Sequence, residues 1–173
     1  MRPARQLFSL LACLLLGACS PALDWREYRP PDAGFVVVFP QKPAQSERRL
    51  QTPAGEVLMR MYSVRVGEHV LGTGFADFTA PITPALIDAM RDALVANIGG
   101  RVESEQVSVA AGLSGRAFSA KGVLGRGADA KPGLLQARLL VRGQRYIQLV
   151  SLGGPGGMQQ ADIEFFLTSF KPE

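Results

Sequence analysis

The chain has 173 residues, a formal net charge of +4, two cysteines and one histidine. That length fits one ordinary domain with a sizeable core, two cysteines exclude a disulfide-stapled scaffold, and so small a charge is no nucleic-acid footprint. A lone histidine leaves little to build a histidine-based catalytic site or a zinc site.

The first element is a leader. Arg2 and Arg5 precede the apolar run LFSLLACLLLG from Leu7 to Gly17, the basic n-region and apolar h-region of a secretory signal. A bilayer-spanning helix needs roughly 20 apolar residues, more than this run supplies. Leu16-Gly17-Ala18-Cys19 then sets small residues ahead of a cysteine. This resembles the lipobox of a bacterial lipoprotein signal, whose cysteine is acylated and becomes the mature N-terminus. The resemblance implies that residues 1–18 are a signal peptide and that Cys19 is the lipid-attachment site. Cys13 would leave with the leader, so no internal disulfide could form and the domain must be held by its core. Arg2 and Arg5 would leave too, so 17 basic side chains face 15 acidic ones.

The resemblance further implies two or three acyl chains on Cys19. With each buried methylene contributing about 0.8 kcal/mol, two chains already anchor stably where one does not. Ser20, in place of an aspartate, resembles the outer-membrane default of enteric bacteria, so the expected location is the outer membrane, facing the periplasm. Residues 19–24 form a short tether, and the five from Ser20 to Asp24 reach at most about 18 Å when extended. The domain over residues 25–173 is therefore expected beside the bilayer. Trp25 and Tyr28, with Arg26 and Arg29, either cover one end of the core or meet the membrane interface.

Gly34-Phe-Val-Val-Val-Phe-Pro40 reads as a buried strand stopped by proline. Residues 45–52 are polar enough for an edge strand and end at Pro53-Ala54-Gly55. Residues 56–66 and 69–79 are β-rich runs joined by Gly67-Glu68, a two-residue hairpin signal with glycine first, of the type II′ kind. Thr83 and Pro84 open a helix as N-cap and first residue. Its apolar stripe is Leu86, Ile87, Met90, Leu94, Val95 and Ile98, and Gly99-Gly100 stop it. Two further strands, 101–109 and 115–121, flank a small-residue turn at 110–114. Residues 122–133 (GVLGRGADAKPG) read as a flexible loop. Leu135, Ala137, Leu139 and Val141 alternate with polar residues, which marks one inner face with Leu140 as an outward exception. Residues 146–152 are apolar on both faces, so they belong in the centre of a sheet. A final helix carries Ile163, Phe166, Leu167 and Phe170. Long strands, short hairpins and two amphipathic helices give an α+β class: a mainly antiparallel sheet covered by two helices.

Phe35-Val-Val-Val-Phe-Pro-Gln-Lys-Pro43, Thr52-Pro-Ala-Gly55, the strand Gly115-Arg-Ala-Phe118 and the ending Phe165-Phe-Leu-Thr-Ser-Phe170 are similar to a bacterial family of small exported domains with the PsbP-like fold. The resemblance implies a curved antiparallel sheet sandwiched by helices. Its motifs are strand ends, turns and a closing helix, so it implies a binding or scaffolding module and no shared chemistry.

No catalytic constellation stands out. Asp77 lies eight residues beyond His69 in the same strand, out of hydrogen-bond reach, and Gly112-Leu-Ser-Gly115 reads as a turn, not a nucleophile elbow. Asp129 is isolated, so neither a zinc nor a calcium site is expected. Gly153-Gly-Pro-Gly-Gly157 could hold an anion at a helix start, but a strand reversing into a helix needs such glycines anyway. Arg138, Arg142 and Arg145 with Lys121 could share one outer region. Phe75, Phe78 and Phe118 read as core. The leading expectation is a non-enzymatic, lipid-anchored envelope protein that binds a protein partner near the membrane, with no cofactor, metal or nucleic acid. The rival is a small-ligand carrier or enzyme with a pocket between the sheet and a helix. A third reading, contact of the arginines with anionic membrane surfaces, would be lost at high salt.

Overall fold

The computed structural model describes residues 23–173; Cys19 and the expected leader lie outside them. The first half holds β1 (Arg26–Tyr28), β2 (Phe35–Phe39), β3 (Ala44–Thr52), β4 (Gly55–Val66), β5 (His69–Asp77) and α1 (Pro84–Ala96). The second holds β6 (Arg101–Ala110), β7 (Leu113–Leu124), a short 3-10 turn (Gly127–Asp129), β8 (Lys131–Arg142), β9 (Arg145–Gly153), α2 (Gln160–Thr168) and β10 (Lys171–Pro172). Seven strands form one sheet in the order β3-β4-β5-β9-β8-β7-β6, every neighbouring pair antiparallel. The other three form a small sheet, β1-β2-β10. The class is α+β, mostly antiparallel with two helices.

The turns follow their chemistry. Gly67 (φ +58°) and Gly143 (φ +62°) each take the first place of a two-residue hairpin, where a type II′ turn needs positive φ. The β6–β7 turn differs: both Ala111 (φ +50°) and Gly112 (φ +80°) are left-handed, the type I′ pattern. An alanine is strained there in a way a glycine is not.

The large sheet has two dry faces. On one, Leu86, Met90, Val95 and Ile98 of the α1 region pack on Met59, Ala76, Phe118, Leu135, Leu139 and Tyr146. Thr83 caps the helix by accepting from the Leu86 amide at 3.2 Å, and full burial of a leucine or methionine contributes about 1.5–3 kcal/mol. On the other face β2 and α2 bring Phe35, Val37, Phe39 and Phe166 onto Tyr62, Leu71, Phe75, Leu140, Ile147 and Leu149. Strand period 2 feeds both: in β4, Val57 and Met59 join the first core while Tyr62 and Val64 join the second.

The buried strand expected within residues 34–40 is β2, Phe35–Phe39, and it lies in the small sheet. Two other expectations change. Half of the expected loop at 122–133 is strand, because β7 and β8 stay paired out to Leu124 and Lys131. Leu140 is no outward exception: it is fully buried, since that side of β8 is covered by the small sheet and α2. Residues 146–152 do lie at the centre, as β9 is the fourth of seven strands.

Candidate functional site

Both edges of the large sheet are long strands, yet they differ in side-chain chemistry. On β3, Glu47 and Arg49 cross to Arg60 (3.5 Å) and Glu56 (2.7 Å) of β4, and Arg48 is exposed between them. Charges of this kind blunt an edge against further pairing. The first half of β6 is guarded similarly. A register shift lies between Val102 and Ser104, and Glu103 pairs with Lys121 at 2.7 Å.

Beyond Glu105 the guard stops. Gln106-Val-Ser-Val-Ala110 carries no charge, and Val107 and Val109 are 82% and 67% exposed. Both follow Glu105 on the α1 side of the sheet, where Glu105 meets Arg91 and Arg116 at 2.7 Å each and Asp88 of α1 meets Arg116 at 2.8 Å. Burial alone would raise the Glu105 carboxyl, but the hydrogen bond from Arg116 and the charge of Arg91 outweigh it and hold it below the usual carboxylate range. This network fixes the start of α1 against β6 and β7. Beside it lies a groove of about 700 Å³ with Ile82, Pro84, Ile87, Val107 and Val141 on its walls. An unpaired strand edge, two projecting valines and an apolar groove thus adjoin one another.

A second cleft, of about 250 Å³, lies on the opposite face between α2 and β6–β8. Polar and apolar groups share its lining: beside Phe118 and Leu167, Ser104 and Ser119 bond each other at 2.8 Å, and Gln136 and Gln160 exchange amide hydrogen bonds at 2.9 and 3.0 Å. Arg138 also lines it.

The residues singled out from sequence fall elsewhere. His69 is only 2% exposed and its Nε2 lies 2.7 Å from Ser151 Oγ of β9, while Asp77 is held by two bonds from Arg145 at 2.6 and 2.9 Å. Among the described residues His69 Nδ1 has no partner, and burial holds its imidazole below the usual range. Gly153 explains the tight fit: a Cβ there would come within 2.0 Å of His69 Nδ1. The glycine run therefore serves packing, and it ends before α2, with Met158 and Gln159 between. Phe75 belongs to one core, Phe78 and Phe118 to the other.

The basic cluster separates by role. Arg142 donates to the Gly34 and Glu173 carbonyls at 2.8 and 3.0 Å. Arg145 donates to the Asp32 carbonyl at 2.8 Å and stacks 5.0 Å over Phe75. These two clasp the small sheet to the large one. Trp25 packs edge-on against Phe165 at 5.2 Å, and Tyr28 lies against Phe39 and Tyr62 at 6.0 and 5.5 Å, so both rings cover one end of a core. Asp129 is exposed in the 3-10 turn. Among the described residues no three His, Cys, Asp or Glu side chains gather as a metal set, and no helix is long and apolar enough to cross a membrane. Sequence reasoning missed the open stretch of β6, and its rival reading placed a pocket between the sheet and a helix without naming the residues that line these two clefts.

No family model matches the chain, and no curated protein matches it. Among solved structures it is similar to cyanobacterial PsbP (CyanoP) from Synechocystis sp. PCC 6803, a solution structure. The identity is 12%, the TM-score 0.57, and the match covers 91% of this chain and 99% of that one. A protein of unknown function from Pseudomonas aeruginosa, PA94, described as a putative regulator, matches at 13% identity over 77% of this chain and 85% of its own. Its TM-score of 0.38 is too low to bear on the fold. At these identities likeness speaks to architecture alone, and the first match establishes that architecture: the chain has a PsbP-like fold.

Proposed function

We propose that the protein is a non-enzymatic, lipid-anchored module of the cell envelope, held by acylated Cys19 at the outer membrane and facing the periplasm, and that its domain captures an extended segment of a partner protein by strand addition to β6. In this reading the large sheet curves between its two coverings and presents that edge close to the bilayer.

The observation that carries the docking reading is the unguarded stretch Gln106–Ala110. Its outward N–H and C=O groups are available for a further ladder, which supplies affinity, and side-chain pockets supply selectivity. A partner strand with apolar side chains at alternate positions would cover Val107 and Val109 and set one side chain into the groove walled by Ile82, Ile87 and Val141. The charges on β3 argue that this edge is the one left open.

Two experiments test the reading. A photo-crosslinking residue at position 107, in the acylated full chain within intact cells, should yield an adduct whose fragments map to an uncharged extended segment of another protein. The same probe at position 48 on β3 should yield none, and Val109→Lys should remove the position-107 adduct. Equal labelling at both edges, or an adduct with a second copy of this chain, overturns the docking site. For the anchor, Cys19→Ala should abolish fatty-acid labelling and release the protein from the membrane fraction; labelling that persists refutes it.

A further inference from the structure

The polar cleft under α2 carries an inference independent of the β6 edge. Eight arginines of the described chain lie within 4 Å of a carboxylate. Arg142 is bonded to two carbonyls, and Arg48, Arg65 and Arg126 are exposed to water. Arg138 alone among the described arginines is half-buried and has neither an ion pair nor a side-chain hydrogen bond. Its place follows from strand period: Gln136, two residues earlier on β8, reaches Gln160 of α2, so Arg138 points to the same side.

Arg138 lines the cleft with its planar fork of five donors unengaged, and such a fork suits bidentate capture of an oxyanion. Beside Arg138 the cleft offers two neutral polar pairs. The Ser104–Ser119 and Gln136–Gln160 pairs satisfy each other only in part, because a carboxamide or hydroxyl in such a pair keeps a free donor or lone pair. These are partners for ligand hydroxyls. Glu164, exposed on α2, also lines the cleft and disfavours ligands with more than one negative charge. The volume of about 250 Å³ lies below the roughly 300–1,000 Å³ of drug-sized pockets, so the ligand is small.

We infer that this cleft binds a small hydroxylated monocarboxylate, such as a hydroxy acid or sugar acid, with its carboxylate on Arg138 and its hydroxyls on the serine and glutamine pairs. The cleft takes its polar wall from the even-numbered residues of β6, whereas the docking edge uses Val107 and Val109, so the two sites occupy opposite sides of the sheet.

The test is titration of the full chain with lactate, gluconate and glucuronate, followed through the Arg138 side-chain resonance. Glucose serves as the uncharged control and inorganic phosphate as the multiply charged one. At least one carboxylate should bind saturably and perturb Arg138, with glucose silent and phosphate weaker. Arg138→Gln should weaken that binding about tenfold or more, Arg138→Lys should weaken it less, and Arg65→Gln should change nothing. The melting temperature of each variant separates lost binding from lost folding. Absence of saturable binding at tens of millimolar overturns the inference. So does affinity unchanged in a folded Arg138→Gln variant, or tighter binding of phosphate.

Discussion

The β5–β9 seam and the β6 edge are built from similar stock: long antiparallel strands with apolar residues at alternate positions. At the seam every alternate position meets something. Phe75 and Ile147 enter the core beneath β2 and α2, while Ala76 and Tyr146 enter the core beneath α1. Thr73 is bonded there to the Gln148 carbonyl at 2.9 Å and the Tyr146 hydroxyl to Gln148 at 3.1 Å, while His69 Nδ1 is left without a partner among the described residues. At the edge the alternation continues through Val107 and Val109, but none of the described residues covers them. Alternation thus records which way a side chain points, and only the surrounding layers decide whether it ends in a core or in solvent. Stability and recognition should accordingly separate between these two regions.

The largest effect expected is at the seam. Phe75 is 1% exposed and stands edge-on to Phe35 at 5.9 Å; Phe75→Ala should cost about 3–5 kcal/mol. Urea unfolding followed by circular dichroism measures this. A loss below about 1 kcal/mol would mean that the seam is no better filled than the edge. Gly153→Ala comes next. Its Cβ would lie 2.0 Å from His69 Nδ1, and overpacking of this kind costs about 1–3 kcal/mol. The same change in a His69→Ala background should cost much less, and a double-mutant cycle reads the coupling. Additive losses would show that the glycine is there for some other reason.

The pH dependence is a smaller test of the same contact. Burial lowers the His69 pKa in the folded state, so the fold favours the neutral ring and the unfolded chain takes up the proton first. Stability is therefore complete above the unfolded value of about 6.5 and falls as the pH drops below it, by at most about 1.4 kcal/mol per pH unit for one proton. It levels once the folded ring also protonates. Glu68, lowered by the hydrogen bond and charge of Lys131, contributes in the same direction but only in the more acidic carboxylate range. His69→Asn should flatten the decline between neutral pH and that range. A decline that survives the substitution would assign it to other groups.

Much of the fold was legible, and the parts that were not share a cause. Helix α1 is written locally, in Thr83, Pro84 and the Leu86–Met90–Val95 stripe, so it could be placed without its neighbours. The central position of β9 was legible because residues apolar on both faces must be covered on both. Phe35–Phe39 gave the same signal of burial, but burial does not say which sheet a strand joins. The Ser151 partner of His69 stands 82 residues away, and only the β5–β9 register brings the two together. The cleft at Arg138 is equally non-local, since it needs three strands and α2 in place. The open edge was hidden for a different reason: Val107 and Val109 look like any inner strand face until the described residues are seen to leave them exposed.

That last point sets the smallest expected change in stability. Val107→Lys with Val109→Lys removes apolar groups that are already in solvent, so it should shift unfolding by no more than about 0.5 kcal/mol in either direction, in contrast to Phe75→Ala. Lysines on an edge also discourage pairing, so the doubly substituted protein should stay folded yet lose the adduct formed by a photo-crosslinker at position 106, an exposed site on the same edge. A large destabilisation would mean that the valines are covered within the folded chain. A folded variant that still forms the adduct would move the docking surface away from β6. Loss of recognition without loss of stability is the combination that an unguarded edge, unlike a filled seam, should produce.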